Sequence, residues 1–126
     1  MLGTLVADGY GVARVGIGAT LVARPQWASG WIGPVAGDPD VHGTLRSFGS
    51  RDLLLGTAVL ATRGNPTAQR GALLLCAAAD AVDVVVEGTD FARTRRRGAA
   101  IATLTALGGV ALGVLSACLL PPPPSR

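Results

Sequence analysis

RTRRRGAAIATLTALGGVALGVLSACLL, residues 93–120, decides how this chain is read. It opens on four arginines, Arg93, Arg95, Arg96 and Arg97, and the twenty-two residues from Ala99 to Leu120 carry no charge. At 1.5 Å per residue a helix of that length reaches roughly 33 Å, about the thickness of a bilayer's hydrocarbon core. Arginines crowded at one end mark the cytoplasmic side of such a span. Pro121 to Pro124 stop the helix at the other end, because proline lacks the amide and clashes with the preceding turn. The expectation is a multi-pass protein of the cell membrane, with the lipid bilayer as its first partner.

Composition agrees with that reading. The chain of 126 residues has the length of one domain. Its charged share is 15%, against about 25% for a soluble domain, and its mean hydropathy is +0.46. The net charge of +3 comes from eleven arginines and no lysine. A basic balance can signal nucleic acid. Here the arginines cluster beside apolar runs, where the positive-inside rule puts them, so nucleic acid is not expected as a partner. Cys76 and Cys118 lie inside apolar stretches without a CxxC pair and read as small core residues, not as a disulfide or zinc framework. The N-terminus does not read as a secretory leader, since Asp8 stands where an apolar region should begin.

Four hydrophobic helices are expected, over about 5–23, 39–63, 66–90 and 99–120, followed by a short proline-rich tail at 121–126. The first is interrupted by Asp8 and Arg14 and stops at Arg24-Pro25. Trp27 and Trp31 follow, close to Gly30, Gly33 and Pro34, and read as interfacial anchors. The second helix starts with Asp38 as N-cap and Pro39 in the first position; the third repeats the signal with Asn65 and Pro66. The fold class is therefore all-α, a four-helix transmembrane bundle.

Counting arginines by side orients the bundle. One side holds Arg24, Arg46, Arg51, Arg93, Arg95, Arg96 and Arg97; the other holds Arg63, Arg70 and Arg126. Seven against three places both termini outside the cytoplasm.

The charges that fall within helices need partners. Asp80, Asp83, Glu87 and Asp90 share an arc of about 80° on the third helix, so half of the chain's eight acids form one stripe. Carboxylates at membrane depth cost at least ~2.5–3.5 kcal/mol each, and are expected to face protein or water. Counting depth along the helices pairs Arg14 with Asp80, Arg51 with Asp83, and Arg46 or Arg24 with Glu87. This intramembrane polar network, which also includes Asp52, has four readings: a structural ladder that fixes helix register, a relay for protons or small ions, a pocket for a lipid headgroup or small molecule, or a stripe that lies outside the bilayer altogether.

Other motifs carry less. Gly109-x-x-x-Gly113 and Gly49 with Gly56 allow close helix packing, within the chain or against a second copy. His42, the one histidine, reads as a solvated surface residue. No Ser-His-Asp or Cys-His arrangement, metal-ligand cluster or dinucleotide fingerprint is present, so no enzyme activity, metal or cofactor is expected.

The order of motifs resembles a family of uncharacterised four-helix membrane proteins of actinobacteria, carrying a domain of unknown function and distantly DoxX-like. The matching segments are Ala13-Arg14-Val15-Gly16-Ile17-Gly18, Arg24-Pro25, the Trp-Gly loop, Arg46-Ser47-Phe48-Gly49-Ser50-Arg51-Asp52-Leu53 with Gly56, and Ala79-Asp80-Ala81-Val82-Asp83. The resemblance implies four helices and draws attention to Arg14, Arg51, Asp52, Asp80 and Asp83. It brings no activity with it. The expected function is a structural or accessory membrane protein, partnered by a second copy or another membrane protein; the alternative is a small transporter or proton- or ion-conducting protein using the acidic stripe.

Overall fold

The computed structural model describes residues 1–32 and 34–122. Gly33 of the Trp-Gly loop, and Pro123 to Arg126 of the proline-rich tail, lie outside them. The described residues are all-helical, with no strand. Four long helices, α1 (Leu2–Ala23), α3 (Pro39–Ala61), α4 (Pro66–Thr94) and α5 (Arg97–Leu119), account for most of the chain. The sequence did not foretell α2 (Ser29–Ile32), a single turn of helix set between 3₁₀ turns at Pro25–Ala28 and Pro34–Gly37.

Local chemistry explains the boundaries. The Asp38 carboxylate accepts the Asp40 amide at 3.0 Å, and the Asn65 side chain accepts the Ala68 amide at 3.1 Å; each cap stands just ahead of a proline and satisfies an otherwise orphaned donor after it. Gly64 turns the chain between α3 and α4 with φ of +89°, a conformation that suits glycine. α4 runs past Asp90 to Thr94 and ends on Arg95 at φ 53°, a left-handed cap usually given to glycine or asparagine. Arg97 opens α5, so Arg95 and Arg96 alone connect α4 to α5 and force the two to run antiparallel.

The helices pack most closely as two antiparallel pairs, α1 on α3 and α4 on α5. Glycines set the first contact. A Cβ on Gly18 would come within 2.5 Å of the Gly49 carbonyl oxygen, and one on Gly56 within 2.7 Å of the Gly11 carbonyl oxygen. The second contact sets Gly113 against Ala77 and Gly109 against Asp80. These small residues are thus occupied inside the chain and do not supply a seam for a second copy.

Two apolar clusters flank a charged layer. Ala7, Val59, Leu73, Cys76, Ala117 and Leu120 fill the end nearer the termini, and Leu21, Ala28, Ala36 and Leu45 fill the other. Large apolar side chains also point outward from every long helix, among them Leu5, Leu54, Val85 and Leu104. Two helices, α1 and α5, are long and apolar enough to cross a membrane. The other two long helices have 23 and 29 residues but carry too many charges to meet that test by composition.

Candidate functional site

The charged layer is built from Tyr10 and Arg14 of α1, the adjacent Arg51 and Asp52 of α3, and Asp80 and Asp83 of α4. Arg14 is buried on α1 and donates through all three of its guanidinium nitrogens. Its Nη2 bonds Asp80 Oδ1 on α4 in a short contact, its Nη1 reaches Asp52 Oδ1 on α3 at 3.1 Å, and its Nε reaches the Tyr10 hydroxyl at 3.1 Å. That hydroxyl has one proton to give. Asp80 Oδ2 and the Gly109 carbonyl both lie 3.3 Å away, so the proton is shared or directed between α4 and α5. One arginine and one tyrosine therefore tie all four long helices together.

A second set lies about a turn away. Arg51 of α3 grips Asp83 of α4 with both terminal nitrogens, at 2.8 and 2.5 Å, and comes within 3.7 Å of Asp52. This two-pronged geometry matches the planar guanidinium to the planar carboxylate. Phe48, one turn back on α3, places its ring 5.5 Å from the Arg51 guanidinium. The Arg51 Nε is buried without an acceptor. The two sets together hold two arginines against three aspartates, one carboxylate in excess.

The structure brings Arg14, Arg51, Asp52, Asp80 and Asp83 together in one ion-pair network, which neither Arg46 nor Glu87 joins among the described residues, although Glu87 lines the same cavity as the aspartates. Arg46 lies five residues before Arg51, about 140° away around the helix, and is exposed. It forms no ion pair among the described residues, and neither does Glu87, so the expected rung between them is corrected. Arg24, the other partner considered for Glu87, instead stacks on the Trp27 ring at 4.6 Å. Two further expectations change. Cys118 is exposed on α5 where a core position was expected, while Cys76 is buried. His42 is half-buried, its Nε2 within 3.1 Å of the Ala36 carbonyl, and ties the first turn of α3 to the preceding 3₁₀ turn.

Two more residues of α1, Tyr10 and Asp8, make polar contacts across helices. Tyr10 precedes Arg14 by four residues and so shares its face, a signal that spacing alone contains. Asp8 accepts from Gln69 Nε2 at 3.0 Å and pairs with Arg63 at 3.1 Å, closing the end near the termini. Arg70 donates to the Ala117 and Leu120 carbonyls at 3.0 and 2.9 Å, and to that of Pro121 at 3.1 Å.

Between the helix pairs lies a cavity of about 670 Å³. Asp80, Asp83, Glu87 and Asp90 line one wall; Trp31 and Phe48 contribute aromatic surface. Among the described residues no group of three His, Cys, Asp or Glu is placed to hold a metal ion. Comparison with family models, curated proteins and solved structures finds no match.

Proposed function

We propose that this chain is an integral membrane protein of the cell membrane, a four-helix transmembrane bundle of the kind its resemblance implies. α1, α3, α4 and α5 each cross once, and buried Arg–Asp pairs hold them in register. Its role is structural or accessory, with a second copy or another membrane protein as partner, and no enzymatic step is assigned to it.

One observation carries the reading. Arg14, Asp52, Asp80 and Gly109 each lie within two residues of the midpoint of their own helix. The paired charges Arg14, Asp52 and Asp80 thus sit near the helix midpoints and turn inward, while large apolar side chains face out. A soluble bundle has no reason to invert its pattern in this way; a bilayer does. The charges that keep α3 and α4 from qualifying by composition include Arg51, Asp52, Asp80 and Asp83, which are spent on one another. Arginine counting still favours both termini outside the cytoplasm: with Arg51 set aside as paired, Arg24, Arg46, Arg93, Arg95, Arg96 and Arg97 outnumber Arg63, Arg70 and Arg126.

The cavity favours a second reading, a small transporter or proton- or ion-conducting protein, because it brings open space to Asp80 and Asp83. Two measurements test the pair. Single cysteines placed by Arg70→Cys and Arg95→Cys, in a Cys76→Ala, Cys118→Ser background, should be labelled from opposite faces of sealed vesicles; labelling from one face refutes four crossings. Proton or sodium flux into proteoliposomes, abolished by Asp80→Asn, would establish conduction, and flux no greater than in empty liposomes removes it.

A further inference from the structure

The cavity between the helix pairs is unevenly charged. Arg14 and Arg51 are committed to Asp52, Asp80 and Asp83, which leaves one carboxylate in excess. Further along the same wall, Glu87 and Asp90 add two carboxylates; among the described residues they form no ion pair, and Arg96 is the one other cation in the lining. The remaining arginines of 93–97 are exposed and outside the lining, where water and salt screen them. The acids extend from Asp80 to Asp90 over about 15 Å of α4, from the buried centre to the surface.

The rest of the wall is apolar. Ile17, Leu21 and Leu45 line it together with Ala102 and Ala106 of α5, and Trp31 of α2, a turn that packs against α5, belongs to the same lining as Glu87 and Asp90. The rings of Tyr10 and Phe48 already carry arginines, at 5.3 and 5.5 Å; no arginine lies over Trp31 among the described residues. A cation drawn in by Glu87 and Asp90 would share the cavity with that ring, and its apolar body with the aliphatic side chains. A volume of about 670 Å³ lies within the range of roughly 300–1,000 Å³ that small-molecule sites occupy.

We infer that this cavity is a binding site for a lipophilic organic cation, a small amphiphile with one positive centre and an aromatic or aliphatic body, held by Glu87, Asp90 and Trp31. The inference rests on the four-crossing reading, which presents the mouth at one membrane surface. It assigns the unpaired carboxylates a partner that the chain itself does not supply. An anion of equal size is rejected, since it would add charge to a lining already rich in carboxylates.

Tetraphenylphosphonium and tetraphenylborate have nearly the same shape and opposite charge, and make the test. Equilibrium dialysis of the full chain in neutral detergent, with empty micelles subtracted, should show saturable retention of tetraphenylphosphonium near one per chain and none of tetraphenylborate. Glu87→Gln with Asp90→Asn should weaken retention by roughly tenfold or more, as expected for two lost attractions near a protein surface. Trp31→Ala should weaken it as well. Circular dichroism and thermal midpoint should stay unchanged in these variants, because none of the three residues belongs to the buried ion-pair network. Equal retention of both ions, or undiminished retention by the double variant, overturns the inference. Absent retention in a chain whose cysteines label from opposite faces sinks this proposal alone; labelling from one face sinks the reading beneath it.

Discussion

The Asp80 carboxylate occupies the space that a side chain at position 109 would fill. A Cβ built on Gly109 collides with Asp80 Oδ2 and Cγ, whereas one on the adjacent Gly108 meets nothing within 4 Å. The glycine is what lets α5 lie against a charged residue and offer its carbonyl to Tyr10. Gly109→Ala should therefore push Asp80 off Arg14 and lower stability in detergent by about 1–3 kcal/mol, the usual scale of overpacking. Gly108→Ala should be neutral or stabilising by up to about 1 kcal/mol, since alanine suits a helix better. Thermal unfolding of the two variants checks this directly, and an equal effect of both would show that the contact has no weight.

Removing one member of a buried pair leaves the other charge uncompensated, at about 3–5 kcal/mol. Arg14→Gln strands Asp52 and Asp80 together and should reach that full range. Asp80→Asn leaves Arg14 its contact with Asp52, so its effect should sit near or below the lower bound. The double variant Arg14→Gln, Asp80→Asn should lose less than the two single losses added. Exchanging the charges, Arg14→Asp with Asp80→Arg, should recover little, because the new Asp at 14 would face Asp52. A double-mutant cycle on chemical denaturation reads the coupling, and strict additivity would mean that the two residues do not interact.

Arg51 and Asp83 make a better-formed pair in a wetter place. Their side chains retain 33% and 18% exposure, against 8% and 5% for Arg14 and Asp80. Arg51→Lys keeps the charge and loses the two-pronged grip, but it also removes the buried Nε that has no acceptor. The expected loss is about 0.5–1 kcal/mol, smaller than for Arg14→Lys, which must give up contacts to Tyr10, Asp52 and Asp80 at once. Melting curves that ranked the two variants the other way round would contradict this order.

The parts of this fold that were legible in the sequence are those with local causes. Asp38-Pro39 and Asn65-Pro66 announce helix starts because a cap and a proline act within four residues, and Arg24-Pro25 announces a stop for the same reason. Arg14 with Asp80 was legible as well, from depth counted along two helices. Arg46 joins no pair because height along the helix is not enough: it stands about 140° around α3 from the face of Arg51. The link of Tyr10 to Arg14 is legible in their four-residue spacing, but its contacts with Asp80 and Gly109 emerge only once α4 and α5 are placed. The cavity is likewise a property of how two helix pairs meet, and no single segment encodes it.

Arg70 closes the far end of α5. Its guanidinium donates to the carbonyls of Ala117 in the last turn, of the C-cap Leu120, and of Pro121 just beyond, where the helix supplies no donors of its own. Pro121 and Pro122 cannot provide an amide to these carbonyls, so the cap must come from another helix, and it comes with the sign the helix dipole favours. Arg70→Ala should cost about 0.3–1 kcal/mol and fray the last turn of α5 without disturbing the centre of α1. Hydrogen exchange resolved by residue should then quicken over Ser116 to Leu119 and stay unchanged around Arg14. Arg70→Lys should restore part of the protection, because a single ammonium keeps the charge but cannot reach three carbonyls in a fixed fork. If exchange at Ser116 to Leu119 is already fast in the unaltered chain, Arg70 does not hold this end and α5 is secured by its packing on α4 alone.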